Sequence, residues 1–183
     1  DCKESAVYFK GSAYLHAIEP TAASAAGMAA QAISKKDNSK AIQYLQEAIK
    51  LETSKSVKSD YYLNIANIYL SQKNYQACRS NAQSALAMDP TAGQAYIMIA
   101  YAYAYGYTSI DDDPVIQKTA FWAAVDKLEK AKAVDPSLAS QANSLIASYK
   151  KQFPDKSELF MRGIKGGSYK VPGWIGETTT VRY

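Results

Sequence analysis

Apolar and small residues recur along most of the chain at the three- and four-residue spacing of an amphipathic helix. The pattern is clearest between Ser59 and Pro90. Its two apolar stripes contain Tyr62, Ile65, Ala66 and Tyr69, then Cys78, Ala82, Ala85 and Leu86. The polar segment SQKNY separates the stripes, and Pro90 ends the second one, because proline disfavours α conformation in the residue before it. This stretch therefore predicts two antiparallel helices joined by a short turn.

The same pattern occurs on both sides of this unit. The first stripe returns 34 residues later as Tyr96, Ile99, Ala100 and Tyr103. An earlier copy of the second stripe lies before this unit and contains Ala41, Leu45, Ala48 and Ile49. The chain is therefore predicted to be built from repeated helix pairs.

This unit resembles the tetratricopeptide repeat (TPR), which has about 34 residues per helix pair. The family's preferred residues are matched by Tyr62, Ile65, Ala66, Tyr69, Cys78, Ala85 and Pro90, whereas Ala82 stands where the family prefers an aromatic residue. The resemblance implies an all-α, right-handed TPR superhelix of antiparallel helix pairs. In such arrays the first helix of each pair lines a concave binding groove.

The resemblance divides the chain into a solenoid over 1–152 and an irregular tail over 153–183. The expected parts of the solenoid are a leading helix 3–18, repeats 21–53 and 59–90, an extended repeat 93–136 and a half-repeat capping helix 137–151. Residues 52–60 are expected to form a loop. The extended repeat is expected to have a lengthened first helix, then a loop in which Asp113 caps a helix that begins at Pro114. Capping explains the acidic run 111–113 better than calcium binding, because its spacing does not match an EF-hand.

The tail contains two runs, 168–171 and 178–183, that predict short extended or hairpin-like segments. The last 16 residues, SYKVPGWIGETTTVRY, resemble the C-terminal tail of a group of TPR proteins from the cell envelope of Gram-negative bacteria. This resemblance implies a periplasmic or envelope-associated protein, with a cytoplasmic location as the alternative.

Composition and charge narrow the function classes. The net charge is +4 and the basic residues are scattered, which disfavours nucleic-acid binding. No apolar run has the roughly 18 residues of a membrane helix, so no membrane insertion is expected. Cys78 is expected to be a small buried residue, and a bridge to Cys2 is the less favoured alternative. The oligomeric state stays open.

The sequence carries no recognisable catalytic frame, nucleotide loop or metal-ligand cluster. His16 is the single histidine, and a structural or solvent-facing role is expected for it. We therefore expect a non-enzymatic protein with no cofactor and no metal.

Binding is the activity that the resemblance implies, in a groove whose expected residues are Leu63, Asn64, Asn67, Ser71, Met98, Tyr101 and Tyr105. The asparagine amides can donate and accept hydrogen bonds, and the tyrosines offer flat apolar area with a polar tip. The alternative is that the asparagines are solvated and the tyrosines only pack. The places of the family's carboxylate clamp hold Ala26, Ala30, Asn64, Gln94 and Met98. Only Asn64 agrees with the clamp, so a neutral or glycan-like ligand, or a peptide bound through its backbone, is expected.

Three functions follow from these observations. The first is a scaffold or adaptor that binds a peptide or protein partner in the groove. The second is the terminal part of a larger assembly that acts through the C-terminal tail. The third is a carbohydrate or small-molecule binder that uses the groove tyrosines.

Overall fold

The computed structural model describes residues 6–183, without the side chains of Ala6 and Tyr8. Helix α1 (Ala6–Ile18) packs against the first of three helix pairs. These pairs are α2 (Ala22–Ser34) with α3 (Asn38–Leu51), α4 (Lys55–Ser71) with α5 (Tyr75–Met88), and α6 (Gly93–Tyr105) with α8 (Ala120–Val134). The predicted mostly helical fold is confirmed, whereas the TPR superhelix stays a prediction. The beginning of the expected leading helix, and Cys2, lie outside the described residues.

The turns inside the first two pairs have the same construction. Lys36 and Lys73 adopt left-handed backbone conformations, with φ of 59° and 58°. The next residue then caps the following helix: Asp37 accepts a hydrogen bond from the Lys40 amide at 3.1 Å, and Asn74 accepts one from the Ala77 amide at 3.2 Å. Side-chain capping satisfies amides that have no partner inside the helix. These local signals explain why each pair folds back on itself.

Helix α4 begins earlier than expected. Residues 52–60 were expected to form a loop, but the helix starts at Lys55, where Ser54 accepts a hydrogen bond from the Val57 amide at 3.4 Å. Ser59, in the second turn of α4, faces the interior and is 1% exposed. A serine cap in an otherwise polar segment is sufficient to begin the helix about two turns before its apolar stripe.

Small residues allow the helices to approach closely. Ala66, Cys78, Ala82 and Ala85 are completely buried in one core shared by α4, α5, α6, α8 and α9. Cys78 is a free thiol 3.8 Å from the Met98 carbonyl oxygen, and burial raises its pKa to about 12. The expectation of a small buried residue is therefore confirmed at Cys78.

The extra residues of the third pair do not lengthen its first helix, although the sequence predicts that they do. Helix α6 ends at Tyr105, and a 3₁₀ turn at 107–109 leads to the short helix α7 (Pro114–Gln117). Gly106 follows α6 at a point where the chain is crowded by Tyr75 and Trp174. The predicted cap is confirmed, since the Asp113 carboxylate accepts from the Val115 amide at 2.8 Å and Pro114 is the first residue of α7.

The C-terminal region closes the array. Helix α9 (Ala139–Lys150) packs against α8, at the place expected for the capping helix. The tail then forms α10 (Lys156–Met161), which the pattern did not predict and which a capping box between Asp155 and Glu158 begins. Strands β1 (Ser168–Lys170) and β2 (Thr178–Thr180) pair antiparallel with Tyr169 opposite Thr179, which confirms the predicted extended segments. Within residues 6–183, no helix is both long enough and apolar enough to cross a membrane.

Candidate functional site

Two of the predicted groove residues expose unpaired amides on α4. Asn64 and Asn67 are three residues apart on one side of the helix, and both are exposed. Neither side chain has a hydrogen-bond partner in the part of the chain that the structure describes. The other two predicted groove residues of α4 offer no free hydrogen-bonding donor. Leu63 is apolar and half-buried against the core, and the Ser71 hydroxyl already donates to the Ile68 carbonyl at 2.6 Å. Among the predicted groove residues of α4, the side chains with free hydrogen-bonding groups are therefore the two amides.

The predicted tyrosines form a stacked pair on the neighbouring helix α6. The ring centroids of Tyr101 and Tyr105 are 5.7 Å apart, and the two ring planes differ by 7°. Tyr105 is 55% exposed, so the pair presents aromatic surface to solvent. The Tyr101 hydroxyl accepts a hydrogen bond from Gln141 of α9 at 3.3 Å. Stacking and this hydrogen bond hold the two rings in place before any ligand binds.

Met98 is not on an open surface. It was expected in the groove beside Asn64, but it is 5% exposed and belongs to the core. The four consecutive residues 97–100 of α6 are all buried, because α4, α5 and α8 pack around this helix. Met98 occupies the repeat position on α6 that Asn64 occupies on α4, but Asn64 is exposed whereas Met98 is buried.

The remaining predicted residues are related by the repeat register of two neighbouring helices. Helices α4 and α6 pack side by side, and the 34-residue offset places Asn67 and Tyr101 at equivalent positions of the two helices. We call Asn64, Asn67, Tyr101 and Tyr105 the amide-tyrosine face. All four side chains are uncharged, so they suit a neutral ligand that offers both donors and acceptors.

A third tyrosine lies close to this pair. Tyr149 of α9 is 7% exposed, and its buried hydroxyl has no hydrogen-bond partner among the described residues. Burial raises the pKa of Tyr149, and the nearby hydroxyls of Tyr105 and Tyr101 raise it further. Tyr149 lies within the predicted capping helix 137–151, but its closeness to the hydroxyls of α6 depends on how two helices pack, which no local pattern shows.

A second set of polar residues joins the tail to the helices. Glu177 lies between Arg79 of α5, Tyr103 of α6 and Lys127 of α8, and we call these four residues the Glu177 cluster. One carboxylate oxygen accepts from the Tyr103 hydroxyl at 2.5 Å and lies 3.4 Å from Arg79, while the other is 2.7 Å from Lys127. Burial would raise the pKa of Glu177, but the hydrogen bonds from Lys127 and Tyr103 hold that pKa below its usual value.

Further ion pairs hold the tail on either side of this cluster. Arg182 pairs with Asp126 of α8 and also donates to the Trp122 carbonyl at 3.1 Å. Arg162 pairs with Asp113 through two nitrogens, at 2.5 and 2.9 Å. The tail therefore docks on its own helices through residues far away in sequence. No local periodicity could have predicted these partners.

His16 occupies a structural position. Its Nδ1 lies 3.2 Å from the Ser24 hydroxyl, its Nε2 lies 3.5 Å from Glu47, and its ring meets Tyr44 edge-on. The histidine therefore links α1 to α2 and α3. The described residues contain no group of three or more side chains suited to hold a metal ion.

No family model matches this chain, and no curated protein matches it. Function must therefore be argued from the chemistry of the surfaces themselves.

Proposed function

We propose that this protein is a non-enzymatic scaffold that binds an extended peptide segment of a partner protein on the amide-tyrosine face. In this proposal the helix pairs form a TPR superhelix, and the face lies in its concave groove. The observation that carries the proposal is the pair of unpaired amides, Asn64 and Asn67, on a helix that neighbours the one carrying the stacked tyrosines Tyr101 and Tyr105.

The chemistry of this face suits a peptide backbone. Each asparagine amide can donate through its nitrogen and accept through its oxygen, which matches the alternating carbonyl and amide groups of an extended chain. The tyrosine pair adds flat apolar area for a side chain of the partner. Because the face has no cation, it has no feature that would select a C-terminal carboxylate.

The two other candidate functions have less support. In the tail, Glu177, Arg182 and Arg162 pair with helices or loops of the same chain, so these charged groups are not free to bind another subunit. A saccharide on the groove tyrosines is compatible with the exposed ring of Tyr105, although the stacking already covers one face of each ring. The envelope location implied by the tail is part of this proposal and rests on that resemblance alone.

The test is a selection of displayed random peptides on the wild-type protein, followed by affinity measurement on the double variant Asn64→Ala/Asn67→Ala. Each lost neutral hydrogen bond costs about 0.5–1.5 kcal/mol, so we expect the selected peptides to bind the double variant about tenfold or more weakly. Fluorescence anisotropy of labelled peptides gives the dissociation constants.

A matched control removes two exposed amides elsewhere, on α3 and α5, in the variant Gln46→Ala/Gln83→Ala. We expect this variant to bind the selected peptides like the wild type. Equal binding by the wild type and the Asn64→Ala/Asn67→Ala variant would contradict the proposal, as would a selection that yields no binding peptide.

A further inference from the structure

A polar and aromatic cavity lies where the turn between α4 and α5 meets the tail. Its volume is about 300 Å³, at the lower end of the range of ligand sites. The lining residues are Gln72, Lys73, Asn74, Tyr75, Gln76, Ser109 and Trp174. None of them belongs to the amide-tyrosine face.

Gly106 allows two aromatic rings to converge at this cavity. A Cβ atom at this position would lie 2.8 Å from Cζ2 of Trp174 and 2.8 Å from Cδ2 of Tyr75. Both rings therefore pack over the same bare backbone position. The result is a pair of aromatic surfaces contributed by α5 and by the tail.

Trp174 is held in place on several sides. Its indole nitrogen donates to the Ser109 hydroxyl at 3.1 Å, and its carbonyl oxygen accepts from Arg79 at 2.5 Å. Its ring meets Tyr103 edge-on at 5.6 Å. A half-buried tryptophan that is already fixed loses little conformational entropy when a ligand packs on it.

The rest of the lining offers unpaired polar groups. The side chains of Gln72 and Gln76 have no partner among the described residues, and the Asn74 amide oxygen caps α5 while its nitrogen stays free. These groups supply both donors and acceptors at the edge of the aromatic pair. Lys73 contributes the single formal charge of the lining.

We propose that this cavity binds a saccharide of about one or two sugar rings, with a sugar face packed against Trp174 or Tyr75. A sugar ring combines an apolar C–H face with hydroxyls that both donate and accept hydrogen bonds. Aromatic surface beside free amides complements both properties. A multiply charged anion is disfavoured because Lys73 is the one cation of the lining. The site is independent of peptide binding on the amide-tyrosine face.

Intrinsic tryptophan fluorescence tests this proposal directly. The chain has two tryptophans, and Trp122 is completely buried, so a response to an added ligand reports on Trp174. The probes are cellobiose, maltose and N,N′-diacetylchitobiose, with acyclic sorbitol as the control polyol. We expect at least one disaccharide to give a saturable change below about 10 mM, and sorbitol to give none.

Variants then locate the site. We expect Tyr75→Ala to weaken binding at least about fivefold, because an aromatic contact is lost. Gln76→Ala tests the cavity without touching the core and is expected to weaken binding about twofold or more. Asn64→Ala/Asn67→Ala and Gln46→Ala/Gln83→Ala should both bind like the wild type.

Four results would overturn the saccharide site. The first is the absence of a saturable response to every disaccharide, and the second is a sorbitol response equal to theirs. The third is unchanged affinity in both Tyr75→Ala and Gln76→Ala. Loss of binding in Asn64→Ala/Asn67→Ala alone would likewise reject this cavity, since it would place the sugar on the amide-tyrosine face.

Discussion

The amide-tyrosine face and the Glu177 cluster both place polar side chains on neighbouring helices, but they differ in how those side chains are paired. Asn64 and Asn67 are exposed and have no partner among the described residues. In contrast, both oxygens of Glu177 are bound, one by Tyr103 and the other by Lys127. The amide-tyrosine face therefore has donors and acceptors that a ligand could bind, whereas the polar groups of the Glu177 cluster bind one another.

This difference separates binding from stability. Removing an exposed group without a partner breaks no contact in the folded protein. Removing one member of a half-buried ion pair leaves the other charges poorly compensated, which destabilises the fold. Substitutions in the Glu177 cluster should therefore lower the free energy of unfolding. Substitutions in the amide-tyrosine face should instead weaken ligand binding.

The largest loss of stability is expected where the tail touches the insertion. Gly173 has a φ of +62°, and a Cβ atom there would lie 2.5 Å from the Ile110 carbonyl oxygen. We expect Gly173→Ala to lower the free energy of unfolding by about 3 kcal/mol, because left-handed strain and a clash with backbone act together. Urea denaturation followed by circular dichroism measures the change.

Gly167 provides the matched control for that substitution. It also has a positive φ, +80°, but a Cβ atom there would have no neighbour within 4 Å. Gly167→Ala should therefore cost about 1 kcal/mol from backbone strain alone. Equal losses in the two variants would mean that the tail does not pack tightly on the insertion.

The next effect concerns the charge of Glu177, whose side chain is 25% exposed. We expect Glu177→Gln to cost about 2 kcal/mol at neutral pH, less than for a fully buried pair. The pKa of Glu177 in the folded protein lies below the usual 4.5, so this stabilisation is complete above pH 4.5. It is lost as the pH falls through the folded-state pKa. Urea denaturation at a series of pH values should show the difference between variant and wild type closing in acid.

The control for this variant is Glu129→Gln. Glu129 pairs with Lys132 at 2.7 Å, but its side chain is 49% exposed and the pair lies within one helix. Such surface pairs contribute about 0.5 kcal/mol or less. If Glu177→Gln behaved like Glu129→Gln, or if its cost were the same at every pH, the proposed role of the Glu177 cluster would be wrong.

Local signals in the sequence were sufficient for much of the fold. The three- and four-residue stripes predicted the helix pairs, and Asp113 with Pro114 predicted the start of α7. The paired runs in the tail predicted β1 and β2. Each of these features depends on residues that are close together in the chain, so its pattern is visible without the structure.

Features that depend on distant neighbours were missed. Met98 has the same register as the exposed Asn64, but α6 is surrounded by other helices and Met98 is buried. The partners of Glu177 lie on three different helices, and Arg79 is 98 residues away in the sequence. No periodicity encodes such pairing, because it depends on how the tail returns across the helices. Asn64 and Asn67 stay a prediction as binding residues, and their lack of partners among the described residues became visible only in the structure.

The smallest effect on stability is expected at the amide-tyrosine face. Alanine has a higher helix propensity than asparagine, and the exposed Asn64 and Asn67 side chains make no hydrogen bond among the described residues. We therefore expect Asn64→Ala/Asn67→Ala to raise the free energy of unfolding by up to about 1 kcal/mol, the opposite sign from Glu177→Gln. Urea denaturation measures both variants under the same conditions. A loss above about 1 kcal/mol would mean that these amides stabilise the fold, and the contrast between the two regions would fail.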